Sequence, residues 1–142
     1  MSADMTTVTQ PHHPLRALVE SGNHEGIEEL LHPDVQFRSP AVHTPYEGRE
    51  TCLHLLGHVV EVFEDFRYVD QIDTGNRTGL VFRANVTAPD GTTKAVEGWD
   101  YLTHDEDGKI TEFVVMARPL SGLIALAQAM GARLEADPVP KG

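Results

Sequence analysis

The sequence predicts a single α+β domain, on three observations. The first part of the chain carries apolar residues mostly at helical spacing. Four consecutive segments after residue 65 read instead as strands joined by turn residues. A last amphipathic stretch follows them. Helices segregated from a run of strands mark the α+β class rather than alternating βαβ units. The length of 142 residues suits one domain, expected over residues 12–136 between polar tails at 1–11 and 137–142.

Residues 14–20 (PLRALVE) predict a short helix with Pro14 in its first turn. Gly22 and Asn23 supply a stop and a new cap, and residues 24–31 continue as a second helix through Ile27, Leu30 and Leu31. His32, Pro33 and Asp34 end it. Residues 35–39 alternate apolar and polar as a half-buried strand, and residues 40–46, with two prolines and no periodicity, predict a loop. Residues 48–65 form the clearest helix, with Leu53, Leu56, Val60 and Phe63 on one stripe widened by Leu55, Val59 and Val62. Strands follow at 66–72, 79–88, 92–103 and 109–118, separated by turns at 74–76, 89–91 and 105–108. Pro119, Leu120 and Ser121 open a final helix through Leu123, Leu126, Met130 and Leu134.

The strands also disclose their faces. Even positions from Leu80 to Val86 are apolar and odd ones mostly polar, so that strand is wet on one side. In residues 109–118 both faces are apolar: Phe113, Val115 and Ala117 on one, Val114 and Met116 on the other. Trp99 and Tyr101 stand opposite Val96, Gly98, Asp100 and Leu102 on their strand. Helices on one side of a sheet leave the other face uncovered. A homodimer interface through Trp99, Tyr101, Val114 and Met116 is the simplest cover; the alternative is the last helix folding over that face.

Asp100 breaks the pattern. A carboxylate in mid-strand, in phase with Val96 and Leu102, is rarely buried without a partner. In a dry cavity it is driven toward its neutral form and donates a hydrogen bond to a ligand oxygen. In a wet one, or paired with Arg83 or a histidine, it is an ionised acceptor. An exposed strand carboxylate is the plain alternative.

Composition excludes other classes. Eleven Lys and Arg against 22 Asp and Glu give a net charge of −11, which disfavours phosphate backbones and anionic membrane surfaces in the absence of a basic patch. Neither a nucleic-acid partner nor a membrane is expected. Cys52 is the only cysteine, which forbids an internal disulfide and a thiolate zinc cluster and fits a cytoplasmic protein. The first residues lack the basic-then-apolar pattern of a secretory signal. The chain holds no GxGxxG, GxxxxGK[ST] or G-x-S-x-G motif, and no cofactor is expected.

Four short landmarks, in order, carry a resemblance: residues 22–27 (GNHEGI), 32–35 (HPDV), 48–50 (GRE) opening the long helix, and Asp100-Tyr101-Leu102 followed by residues 107–110 (DGKI). Together they resemble the nuclear-transport-factor-2-like (NTF2-like) superfamily, especially its SnoaL-like polyketide cyclase and ketosteroid isomerase branches, from about Leu15 to Arg118. The resemblance implies a cone, a strongly curved antiparallel sheet wrapped around helices, with a deep apolar pocket and usually a homodimer. The isomerase branch uses a carboxylate base just before a proline at the end of the first strand, where this chain has Ser39. It uses a tyrosine in the first helix, where this chain has Leu15. Only its protonated aspartate has a counterpart, Asp100. Ser39 without an activating partner is no carbon-acid base, so steroid isomerisation by the usual mechanism is not expected.

Histidine offers another route to catalysis. His43, in the loop after the first strand, is expected near the pocket mouth, where it pairs with Asp100 as base and orienter while Tyr46 or Ser39 holds substrate. The plain alternative is a solvent-exposed loop histidine. His54 and His58, at i, i+4 on the long helix, lack a clear third ligand and read as a solvated face, so no metal is expected. Three functions remain. The first is binding of a small, largely apolar molecule, anchored by Asp100 between walls of Leu15, Leu55, Phe82, Phe113 and Val115. The second is acid–base cyclase, isomerase or dehydratase chemistry in that pocket. The third is a dimerisation module with a filled pocket.

Overall fold

A computed structural model describes residues 11–140, which hold four helices and six strands. The expected N-terminal tail lies outside the described residues except for Pro11, as do residues 141–142. Helix α1 (Pro14–Ser21) begins at His13, whose Nδ1 accepts the Leu15 N–H at 3.1 Å, and ends at Gly22 with φ 70°. Helix α2 (His24–Leu30) is capped by Asn23, whose side-chain oxygen accepts the Gly26 N–H at 3.0 Å.

Strand β1 (Leu31–Arg38) starts at Leu31 rather than at residue 35, so Leu31, expected in the helix, and residues 32–34, expected to end it, belong to the strand. Leu31 pairs with Ile110, and the register shifts before Gln36. Pro33, which has no N–H to donate, occupies that irregular stretch. Within the expected loop, Tyr46 and Glu47 form a two-residue strand, β2, against Phe37 and Gln36. Helix α3 (Arg49–Val62) ends earlier than the stripe predicts, and strand β3 (Phe63–Thr74) begins at once. Asp65 adopts φ 54°, and the ladder to the next strand slips between Glu64 and Arg67. A bulge of this kind re-aims side chains, which lets Phe63 and Phe66 share one face despite their odd spacing.

Strands β4 (Arg77–Thr87), β5 (Thr93–His104) and β6 (Ile110–Arg118) complete an antiparallel meander. The sheet order is β2-β1-β6-β5-β4-β3, curved and unclosed, with β2 and β3 at its edges. It is a mixed sheet, because β1 runs parallel to β6 while the other pairings are antiparallel. The domain is thus the expected α+β cone with one parallel pairing in place of a purely antiparallel sheet.

Helix α4 (Leu120–Ala136) packs on the Val96 side of β5. A Cβ at Gly122 would lie 2.6 Å from the Ala95 carbonyl oxygen, so the bare glycine permits the close approach. This overturns the alternative in which the last helix covers Trp99. Residues 137–140, expected in a tail, stay close to the body: Val139 packs against the core and His58 bonds to Asp137. Leu15, Leu31, Val35, Leu80, Val86, Leu102 and Ile110 are fully buried. Among the described residues no helix is long and apolar enough to cross a membrane.

Candidate functional site

Between the inner face of the sheet and helices α1, α3 and α4 lies a cavity of about 480 Å³. Phe82 on β4 and Phe113 and Val115 on β6 form its floor, and α3 contributes Leu55, Leu56, Val59 and Val60. Leu126, Met130 and Leu134 of α4 close another side. Phe63 and Phe66, both directed inward by the bulge, join Phe82 in an aromatic wall with ring centroids 5.0–5.4 Å apart. A Cβ at Gly98 would meet the Phe82 ring at 2.5 Å, so this glycine gives the ring its place.

Asp100 lies in mid-sheet, opposite Leu80 on β4 and Val115 on β6, and only 6% of it is exposed. Tyr68, in register with Phe82, reaches across β4 and donates its hydroxyl to Asp100 Oδ2 at 2.8 Å. No described side-chain polar atom is both sealed from the cavity or solvent and unpaired. Asp100 Oδ1 has no bond partner among the described residues, so it borders the cavity. Helix α1 supports the tyrosine from behind: the Arg16 guanidinium stands 5.9 Å from the ring centroid and reaches the Tyr68 carbonyl oxygen at 3.4 Å. Glu20, on the same helix, reaches the Tyr68 N–H at 3.4 Å and lines the cavity at its exposed side.

Burial pushes the Asp100 carboxyl up to about 7, against the opposing pull of the Tyr68 hydrogen bond. Burial and the neighbouring carboxyl push the Tyr68 phenol well above its ordinary value. The tyrosine therefore remains a neutral donor while Asp100 populates both protonation states near neutral pH. In its acid form Asp100 accepts from Tyr68 at Oδ2 and offers a proton at Oδ1, toward the cavity.

Among the residues expected at the site, Asp100, Leu55, Phe82, Phe113 and Val115 line the cavity, and Ser39 and Tyr46 line it near the end of β1. Leu15 does not; it is sealed in the core next to the cavity wall. His43 is exposed, beside a shallow depression formed by residues 38–43, and its expected pairing with Asp100 does not form. The partner is Tyr68, which the sequence reading passed over along with Phe63, Phe66 and the α4 wall. The signal was present as Phe63, Phe66 and Tyr68, but the bulge at Asp65 hides it from any strict alternation.

Trp99, Tyr101 and Val114 lie half-buried on the opposite face of the sheet, with Met116 exposed beside them. The Trp99 and Tyr101 rings stack at 5.6 Å with 3° between their planes.

The SnoaL-like domain matches residues 15–113. A steroid delta-isomerase from Pseudomonas aeruginosa is 37% identical, with 91% of this chain and 98% of that one aligned at a TM-score of 0.79. An uncharacterized protein conserved in bacteria with a cystatin-like fold, from Silicibacter pomeroyi DSS-3, is 33% identical over 90% of each chain at a TM-score of 0.81. A putative SnoaL-like polyketide cyclase from Jannaschia sp. CCS1 shares the fold, at 15% identity, 84% and 98% coverage and a TM-score of 0.61. No curated protein sequence matches the chain. Matched over more than half its length, the chain belongs to the SnoaL-like domain family, within the NTF2-like superfamily.

Proposed function

We propose that the domain binds a small, largely apolar, ring-bearing molecule through one carbonyl or phenol oxygen, with Asp100 as anchor and as acid–base group. A single observation carries this reading: a carboxyl buried among aliphatic and aromatic side chains, with one oxygen held by Tyr68 and the other open to the cavity. Fixed donors in a dry site stabilise charge developing on a ligand oxygen. The aromatic wall of Phe63, Phe66 and Phe82 suits a flat ring system stacked against it. A carboxyl near pH 7 is matched to proton transfer at neutral pH, the chemistry shared by isomerases, cyclases and dehydratases. The likeness to a steroid delta-isomerase supports the same class, although Ser39 stands where that branch's usual base is expected. A cavity of about 480 Å³ weighs against a filled-pocket dimerisation module. The outward Trp99, Tyr101, Val114 and Met116 face is the surface for a second copy. A reducing cytoplasm fits the lone Cys52, whose thiol burial pushes up to about 12.

The test compares 2-naphthol with naphthalene by fluorescence titration. One well-made hydrogen bond is worth about 1 kcal/mol, so the hydroxyl is expected to tighten binding about fivefold in the wild type and not at all in Asp100→Leu. Equal affinities for the two compounds in the wild type contradict the anchor.

A further inference from the structure

Helices α3 and α4 meet at a second polar cluster, none of whose members lines the cavity. His54 and His58 are four residues apart on α3, so their rings project from one side. Both Nε2 atoms turn to Asp137, just beyond α4. His58 Nε2 is 2.8 Å from Asp137 Oδ2, and His54 Nε2 is 3.7 Å from that oxygen and 2.9 Å from the Asp137 carbonyl oxygen. All three ligand atoms lie within 4.8 Å of one another. Bonds of about 2.0–2.1 Å to one ion would place neighbouring ligand atoms roughly 3 Å apart, a spacing bracketed by the 2.8 Å and 3.7 Å contacts of the two imidazoles with Asp137 Oδ2. The two imidazole side chains are 18% and 14% exposed and Asp137 is 60% exposed, which leaves water access for the remaining coordination positions.

We propose that His54, His58 and Asp137 form a binding site for a divalent transition-metal cation of the zinc class, clamping the end of α4 to α3. Two imidazoles and a carboxylate are a borderline-soft donor set suited to such an ion rather than to calcium or magnesium. The third ligand is invisible in sequence, because it lies 79 positions beyond His58. The net charge of −11 favours cation capture. Bound there, the ion joins two walls of the cavity and stabilises the folded chain over the unfolded one.

Arg133 makes the proposal sharp. Its Nε donates to His58 Nδ1 at 2.9 Å, and its Nη2 pairs with Glu61 at 2.6 Å. In the metal-free state the His58 proton therefore sits on Nε2 and is donated to Asp137. An ion at Nε2 moves that proton to Nδ1 and displaces Arg133, which keeps Glu61. Arginine and metal compete, so Arg133→Gln, which removes a positive charge and can accept the Nδ1 proton, tightens the site. In a purely hydrogen-bonded latch the same change only loosens α4.

Zinc sulfate is titrated into the full chain, free of any histidine tag, by calorimetry with the thermal midpoint followed in parallel. One ion per chain and a rise in midpoint are expected. His58→Gln and Asp137→Asn should each weaken binding about tenfold or more, and Arg133→Gln should strengthen it by about tenfold. His13→Gln is the control, since His13 and His104 form another converging pair with Nε2 atoms 2.9 Å apart; it should leave binding unchanged. Should His58→Gln fail to fold, the exposed Asp137→Asn and the half-buried Arg133→Gln still decide. Absence of zinc binding, loss of binding in His13→Gln, or weaker binding in Arg133→Gln would overturn the proposal.

Discussion

The two faces of β5 carry residue types opposite to those that burial prefers. On the inner, dry face stands Asp100; on the outer, wetter face stand Trp99 and Tyr101. Each face solves its mismatch differently. Inside, neutralisation and the Tyr68 hydroxyl make the carboxyl tolerable, and the remaining oxygen has no partner among the described residues. Outside, the two rings stack on each other and Trp99 lies over Gly79, where a Cβ would come within 2.8 Å of the indole. The inner mismatch is electrostatic, so its test is a pH dependence; the outer one is a matter of apolar area, so its test is the proposed assembly. The proposed ligand and the proposed second copy would each account for one half of this inverted patterning.

The largest effect that tests this contrast is Asp100→Asn. Burial pushes the native carboxyl up from an ordinary 3.8 to about 7, so between those values the folded protein should keep a proton that the unfolded chain has released. Stability should therefore fall as pH rises through that window, by on the order of 4 kcal/mol in total, and level off above it. Asparagine still accepts from Tyr68 but cannot ionise. In urea denaturation the variant should exceed wild type at alkaline pH and match it at acid pH. A variant less stable at both ends would mean that the inner carboxyl is not held against its charge.

Trp99→Ala probes the outer face, with a smaller expected cost of about 1 kcal/mol to the single chain, mainly the lost stack on Tyr101. Its main readout is mass in solution by sedimentation: wild type as a dimer, the variant as a monomer. An unchanged mass would separate the aromatic pair from any role in assembly.

These regions also differ in how legible they were. Residue types alone identified both Asp100 as anomalous and the Trp99 face as uncovered, because period-two alternation survives in β4, β5 and β6. Alternation fails where the ladder slips. The bulge at Asp65 hid Tyr68, and Pro33 disguised the start of β1 as the end of a helix. The parallel pairing of β1 with β6 joins residues far apart in sequence and leaves no local trace. Leu15 was correctly apolar but belongs to the core, since a helical stripe does not distinguish a packed wall from a cavity lining. Asp137 shows the same limit, its contacts with α3 being entirely tertiary.

Titration of Asp100 by carboxyl-carbon NMR tests the central claim most directly. The account predicts a midpoint near 7 in the wild type. In Tyr68→Phe the midpoint should move higher still, because the hydrogen bond that favours the carboxylate is gone. A midpoint in the ordinary aspartate range near 4 would contradict it.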